Sequence, residues 1–347
     1  MSNKILITGA SGWLGKAFLR KIFDGPTSLN FSDIKLFIKD KSEEELLSAF
    51  IEKGVSFSYG DLTNKKSVDL FLENSEGATL FNLAGIIHPK LFNQSDFNLI
   101  NNIGVSYLAK KSIENGLKKF VSMSSNSPNG YTKNNHELFT ESSPYFPYMG
   151  YGRSKMRMEL NLINLSKQQE VTNFSIIRAP WFYGPDQPKR QSEFFSMVRS
   201  GRFPLIGTGE NLRSMSYVDN LVEGVILAAE YFDKNGEIFW IADEKPYSMN
   251  EIVGTIKDLM RNEFSMEVSK TQLRLPNFIS DSARLIDYTS QSLGIYIQKI
   301  HVLSEMNQNI VCSVEKAKAV LGYKPCVSLK EGMLNSINWC LENNLKI

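Results

Sequence analysis

An α/β fold with a doubly wound, mostly parallel sheet is predicted for this chain by three observations. Apolar stretches of strand length alternate with helical patterns through the first half. The first strand runs straight into a glycine turn and then a helix. Several strands end in small or polar residues, as expected where the carboxyl edge of a sheet lines a ligand crevice.

Length and composition agree with this and exclude several functions. The 347 residues are too many for one small domain, and 42% hydrophobic with 22% charged residues is an ordinary globular composition. A formal charge of +2 gives no reason to expect nucleic acid or an acidic membrane as partner. No stretch approaches the ~20 apolar residues of a membrane span. Met1-Ser2-Asn3-Lys4 leads into a strand rather than a signal peptide, so a cytoplasmic protein is expected. Cys312, Cys326 and Cys340 are odd in number and lack metal-type spacing, which reads as reduced structural thiols. His88, His136 and His301 are scattered, and no metal site is expected.

Taken in order, Lys4-Ile5-Leu6-Ile7-Thr8 is a buried strand, followed by Gly9-Ala10-Ser11-Gly12-Trp13-Leu14-Gly15 and a helical pattern over 16–23. Glycines allow a tight turn and close backbone approach to a pyrophosphate seated on the helix N-terminus. Their spacing, three and three, differs from G-x-G-x-x-G. The second strand, 34–38, ends at Lys39-Asp40-Lys41, beside the expected ribose of a bound dinucleotide. Lys39 favours NADP there, while Asp40 would suit the ribose of NAD, so NAD(P) is the expected cofactor. Ser42 with Glu45 reads as a capping box for the next helix. Strands follow at 55–59, ending in Gly60-Asp61-Leu62, and at 79–83, ending in Leu83-Ala84-Gly85. A long helix over about 94–115 contains Asn101 and Gly104, and a fifth strand, 119–122, delivers Ser124-Ser125-Asn126-Ser127.

Tyr151-Gly152-Arg153-Ser154-Lys155 then places a phenol and an ammonium four apart on one helix face. Such an ammonium would lower the Tyr pKa from about 10 and fit the phenol for proton transfer. The same helix carries two apolar stripes, Met156/Leu160/Ile163 and Met158/Leu162/Leu165. One can pack on the sheet; the other favours a partner subunit, and a homodimer built on this helix and the 94–115 helix is expected.

A sixth strand, 173–178, ends at Ala179-Pro180-Trp181-Phe182-Tyr183-Gly184-Pro185, after which the alternation breaks down. Helices are expected over 191–201, 218–231, 248–263 (Ser248 as cap), 314–321 and 328–343, with a short strand at 205–209. Strand 237–241 should rejoin the main sheet. The amphipathic segment 275–303 reads as a hydrophobic lid, or else a membrane-surface helix. The expected division is a nucleotide-binding domain of 1–180 plus about 216–245. A smaller α/β substrate-binding lobe of about 181–215 plus 246–347 completes it, with the active site in the cleft between.

These motifs together resemble the extended short-chain dehydrogenase/reductase family, which contains NAD-dependent sugar epimerases and dehydratases as well as 3β-hydroxysteroid dehydrogenases. The matches run from Thr8-Gly9-x-x-Gly12-x-x-Gly15 through Asn101-x-x-Gly104, Ser124-Ser125 and Tyr151/Lys155 to Tyr183-Gly184-Pro185. Tyr217-Val218-Asp219-Asn220 and Leu321-Gly322-Tyr323-x-Pro325 continue the order almost to the end. The resemblance implies a Rossmann-type fold in which Gly9, Gly12 and Gly15, with Ser11, Trp13 and Leu14, hold the pyrophosphate. It implies that Asp61 and Leu62 flank the adenine, and that Leu83, Ala84, Gly85, Asn101, Ala179 and Pro180 line the cofactor channel. It makes Tyr151 the acid/base, Lys155 the holder of the nicotinamide ribose, and Ser125 a hydrogen-bond partner of the reacting hydroxyl. Ser124 and Ser127 stand close enough to compete for that role.

Sugar dehydratases that resemble this family place acids directly after the serine. Asn126 and Ser127 occupy those positions here and cannot protonate a leaving hydroxyl at neutral pH, which disfavours dehydration. Trp181 stands where nucleotide-sugar members usually carry Asn, and Gly207-Thr208-Gly209-Glu210-Asn211-Leu212 resembles the steroid branch. Arg213 sits where sugar members bind a diphosphate, and a guanidinium matches phosphate well. Asn126, Ser127, Trp181 and Arg213 are thus the expected substrate contacts beside Ser125. The expected activity is an epimerase or ketoreductase acting on a nucleotide-activated sugar. The alternatives are a 3β-hydroxysteroid-dehydrogenase-like oxidoreductase on an apolar ring alcohol, resting on Trp181, Phe182, Phe194, Phe195 and the apolar 275–303 segment, and a non-catalytic cofactor sensor or scaffold.

Overall fold

Seven short apolar segments form one parallel sheet: β1 (Ile5–Thr8), β2 (Ile34–Ile38), β3 (Ser56–Tyr59), β4 (Thr79–Asn82), β5 (Lys119–Ser125), β6 (Asn173–Ala179) and β7 (Glu237–Trp240). Their spatial order is β3-β2-β1-β4-β5-β6-β7, so the chain reverses direction between β1 and β4. In a doubly wound sheet the crevice for ligands opens at that reversal, outside the carboxyl ends of the strands. The computed structural model describes residues 4–25, 31–89, 94–132 and 137–347; residues 1–3 and His136, used in the sequence argument, lie outside these. Segment 237–241 does return to the sheet, pairing parallel with β6.

β1, β4 and β5 are buried on both faces, and their register puts Thr8 opposite Asn82 and Asn82 opposite Ser122. The Thr8 hydroxyl donates to Asn82 Oδ1 at 2.8 Å, and Asn82 Nδ2 donates to Ser122 Oγ at 3.0 Å. This satisfied polar ladder pins the three strand ends at one level, which buried polar groups require.

Apolar cores cover both faces of the sheet. On one side lies α1 (Trp13–Asp24), presenting Leu14, Ala17, Phe18 and Ile22. On the other lie α2 (Val105–Glu114) and α3 (Met149–Gln168). Met158 and Leu162 of α3 are fully buried while Leu160 is exposed, so the two stripes do face different ways. A separate core gathers Tyr183, Phe194, Phe195, Tyr247, Ile252, Ile256, Met333 and Ile337 beside the carboxyl edge. Val314, Ala317 and Tyr323 return to the sheet's own core, where the Tyr323 hydroxyl donates to the Ala242 carbonyl at 2.9 Å.

Three expectations are corrected. The helix Lys41–Leu46 is capped by Asp40, whose carboxylate accepts from the amides of Ser42 and Glu43, and not by Ser42. The segment over 94–115 is not one regular helix: Leu99–Gly104 is π-helical, a wider turn that sets Asn101 facing the loop after β4. Segment 275–303 breaks at Gly294 (φ 84°) into α4 (Asn277–Ser292) and α5 (Gln298–Glu305). Its polarity is the reverse of a hydrophobic lid. Ser280, Asp287, Gln291 and Ser304 are buried, while Phe278, Leu285, Ile286, Tyr288, Leu293 and Val302 face outward.

Candidate active site

The glycine turn forms a cradle that only glycine permits. Gly9 has φ 74°, and a Cβ there would lie 2.6 Å from the Ala84 amide nitrogen. At Gly15 it would lie 2.2 Å from the Gly9 carbonyl oxygen. Gly12 N–H donates to that same carbonyl (3.1 Å), and α1 begins with no side-chain cap and no acid in its first turn. Open N–H groups at a helix N-terminus suit a pyrophosphate, so this loop fits a dinucleotide. Trp13 closes the far side, donating from Nε1 to the Pro185 carbonyl and packing on Phe182 with ring centroids 4.7 Å apart. Ser11 is half-buried, Gly12 exposed and Leu14 buried.

At the ends of β2 and β3, Lys39 Nζ lies 3.0 Å from Asp61, whose carboxylate also accepts from the Thr63 amide and hydroxyl. Asp40 is engaged as a helix cap. Both groups that would choose between NADP and NAD thus have protein partners. Leu62 is buried, and a Cβ on Gly104 would meet its carbonyl oxygen at 2.9 Å. Asn101 bonds both the Ile86 amide and the Ile86 carbonyl at 2.9 Å, clamping the loop that carries Leu83, Ala84 and Gly85.

That clamp meets the Tyr151 helix. Lys155 Nζ donates to the Met123 carbonyl at 2.9 Å and lies close to Gly85, where a Cβ would be 3.2 Å from both Lys155 Nζ and Asn101 Oδ1. Burial pulls its pKa down to about 8 against the opposing charge of Glu159. Tyr151 is hydrogen-bonded to Ser125, and the Ser125 oxygen is itself oriented by the Ser127 amide at 3.0 Å. The phenol's pKa is raised, not lowered: burial dominates, Ser125 opposes it, Glu305 adds to it and Arg190 opposes. The expected depression by Lys155 is corrected on this point, because burial of the phenol decides the direction. Ser124 does not compete with Ser125. It donates to Glu159, which forms a buried ion pair with Arg178 at 2.7 Å, also bonded by the Tyr145 hydroxyl.

Tyr151, Asn126 and Ser127 line one cavity with Gly130, Tyr131, Tyr148, Met149, Gln291, Tyr296, His301 and Glu305. Met149 starts α3 at φ 50°, a strained value for a non-glycine residue beside this wall. α4 and α5 form the roof. Tyr148 donates to Asp287 at 2.8 Å, Gln94 to the Gln291 carbonyl at 2.6 Å, and Tyr296 pairs with His88 at 2.8 Å. Sequence reasoning missed the roof residues; Asp287 and Gln291, four apart on one face, were the available signal.

The other expected substrate contacts are placed differently. Trp181 packs edge-on against Phe194 (5.4 Å), beside Phe195 in the separate apolar core, and does not line the cavity. Ala179 is buried at the end of β6, with Pro180 leading into the short strand Trp181–Tyr183. Arg213 reaches beneath the roof, but its guanidinium donates to the carbonyl of Glu305, the last residue of α5.

A model of the NAD dependent epimerase/dehydratase family matches residues 5–242. An uncharacterized protein of Sinorhizobium fredii, y4nL, is 45% identical over 98% of this chain and 95% of its own. The mouse sterol-4-alpha-carboxylate 3-dehydrogenase, decarboxylating, is 24% identical over 97% of this chain and 90% of its own. The fold matches the UDP-glucose 4-epimerase of Thermotoga maritima, solved with UDP-glucose, at a TM-score of 0.74 and 21% identity, covering 98% and 99% of the two chains.

Proposed function

The chain belongs to the NAD dependent epimerase/dehydratase family, and from that premise we propose that it is an epimerase or ketoreductase of a nucleotide-activated sugar. The observation that carries this is the cavity wall. Tyr131, Tyr148, Tyr151 and Tyr296 bring hydroxyls, Asn126 and Gln291 amides, His301 an imidazole and Glu305 a carboxylate. A polyhydroxylated ring can bond the lone pairs and donors these groups keep beyond their protein partners, such as Asp287 for Tyr148 and His88 for Tyr296. A steroid nucleus with one hydroxyl would leave most of that capacity desolvated.

NAD(P)+, when bound in the Gly9–Gly12–Gly15 cradle, supplies the hydride acceptor. Tyr151 takes the proton of a substrate hydroxyl as the carbon bearing it gives up hydride, which leaves a ketone. Ser125, fixed by the Ser127 amide, hydrogen-bonds that same oxygen. Lys155 stands beside Gly85, where it can hold a ribose hydroxyl and favour the phenolate once the cleft is filled. In an epimerase the keto sugar turns over and hydride returns to its other face. The roles of Ser125, Tyr151 and Lys155 are part of the proposal. So are the division into a nucleotide-binding domain (1–180 and about 216–245) and a substrate lobe, and a homodimer.

The second reading, a dehydrogenase of an apolar ring alcohol, draws support from the sterol-acting relative and from the apolar outer face of α4 and α5. Incubation of the NAD+-loaded protein with UDP-, GDP- and dTDP-sugars decides between them. We expect an isomer or keto product from at least one sugar, lost in Tyr151→Phe by about 10²–10⁴-fold with cofactor binding retained. Binding of none of the sugars, with turnover of a sterol-like alcohol, would establish the second reading.

A further inference from the structure

His301 is held from several sides in the roof, and the proton and hydride transfers above do not use it. Its Nδ1 lies 2.9 Å from Asp287 Oδ2. Asp287 is fully buried and also accepts from Gln291 Nε2 (2.9 Å to each oxygen) and from the Tyr148 hydroxyl (2.8 Å). An oxygen that already accepts from two other donors does not need a histidine to tie the roof down. What it does to His301 is fix the tautomer: Nδ1 carries a proton, and Nε2 is the nitrogen left to act. The ring is clamped between Tyr148 (centroids 5.8 Å, planes 12° apart) and Tyr296 (5.3 Å), so its direction is fixed as well.

The surroundings shift the ring toward its charged form. Burial opposes the charge, but the hydrogen bond to Asp287 and the charges of Glu305 and Asp287 outweigh it and raise the pKa. His88, across the cavity, feels both Arg190 and His301 and is pushed by burial down to about 4, so it stays neutral. The other ionisable groups facing the ring are the phenols of Tyr148 and Tyr296, both pushed up and uncharged. With Nδ1 turned to Asp287, Nε2 lies 3.8 Å from Glu305 Oε1, too far for a hydrogen bond, so that carboxylate acts on the ring through its charge. Asp287 holds one side of the ring, and the cavity the ring shares with Tyr151 is where a substrate oxygen can meet the other.

We propose that His301, held by Asp287, is a specificity-determining substrate contact, its Nε2–H donating to an oxygen of the bound sugar other than the one Tyr151 deprotonates. The inference rests on the nucleotide-sugar reading and narrows it: the substrate ring carries at least one further oxygen on the roof side of the reacting carbon. Two oxygens held from opposite walls, by Tyr151 below and His301 above, fix the ring face presented to the cofactor. A ring alcohol with a single hydroxyl gains nothing from His301.

The test uses NAD+-loaded wild-type, His301→Gln and Asp287→Asn proteins, with UDP-glucose as probe and NAD+ affinity as the check on folding. His301→Gln should raise the KM and Kd for UDP-glucose about ten-fold or more with kcat changed less than about three-fold, the signature of lost substrate binding. Wild-type affinity should fall as pH rises through the His301 pKa, and this dependence should vanish in His301→Gln. The chain has three histidines, so ring signals are assigned by difference. His301 should titrate above 6.5 in wild type and lower in Asp287→Asn. Failure of the nucleotide-sugar reading looks different: no sugar binds the wild type, yet His301 still titrates above 6.5. A His301 that titrates at or below 6.5, or a His301→Gln protein that binds UDP-glucose like wild type, overturns the proposal.

Discussion

Two adjacent serines carry opposite duties. Ser125 is bonded to Tyr151 and oriented by the Ser127 amide, while Ser124 is turned the other way into the Glu159–Arg178 pair. Ser125→Ala should lower kcat/KM about a hundred-fold, the usual cost of losing one donor aimed at a reacting oxygen, with little change in melting temperature. Ser124→Ala should do the reverse, leaving activity near wild type and costing about 1–3 kcal/mol as a buried carboxylate loses a donor. Steady-state kinetics and thermal melts on the two variants measure both, and exchanged effects would reassign the serine. The pairing of Tyr151, Lys155 and Ser125 was legible because a four-residue helical spacing and a strand end are local features. The sign of the Tyr151 pKa shift was not. It depends on how deeply the phenol is buried, and wall residues such as Tyr296 and Glu305, which share its cavity, lie far along the chain. Arg213 was found as a cation near the cleft, but its partner, the Glu305 carbonyl, is 92 positions away.

At the scale of elements, the central strands were readable because each is a short apolar run whose burial leaves no choice of face. The α4–α5 hairpin was misread for the converse reason. Periodicity shows that a helix has two faces but not which one looks outward, and the usual assumption, apolar inward, fails here. The inversion follows from the cavity below it: a roof over polar chemistry has to be polar on that side. It also weakens the roof's attachment, since its ties to the body are hydrogen bonds such as Tyr148–Asp287, Gln94–Gln291 and Tyr296–His88 rather than a continuous apolar seam. The space beside Tyr151 is that of about one water, so on the proposed sugar reading the hairpin above it is expected to lift for substrate. Hydrogen exchange should therefore show amides of 277–305 opening at least about ten-fold faster than those of β5 in the free protein, and slowing when NAD+ and sugar are both bound. Equal protection of the two regions would mean that substrate enters by another route.

At the scale of the whole molecule, two of the apolar faces exposed among the described residues make rival claims on a second copy of the chain. One lies on α3 and the π-helical segment, where Leu99, Ile103 and Leu160 are 43%, 49% and 46% exposed. Those elements are fastened by polar contacts, Arg157 to Asn98 at 3.1 Å and Asn161 to Asn102 at 2.9 Å, so they move as one rigid face. The other is the outer side of the α4–α5 hairpin. A stable dimer buries about 800 Å² per partner in a surface that holds its shape on binding. The α3 face meets the second condition, whereas a hairpin expected to lift for substrate does not. The wild-type protein should therefore sediment as a dimer at micromolar concentration. Ile103→Glu/Leu160→Glu should convert it to a monomer that still binds NAD+, while Leu285→Glu/Leu293→Glu should leave the dimer intact. A wild-type monomer would remove the homodimer altogether. Dissociation by the second pair alone would move the interface onto the roof and couple subunit contact to opening of the cleft.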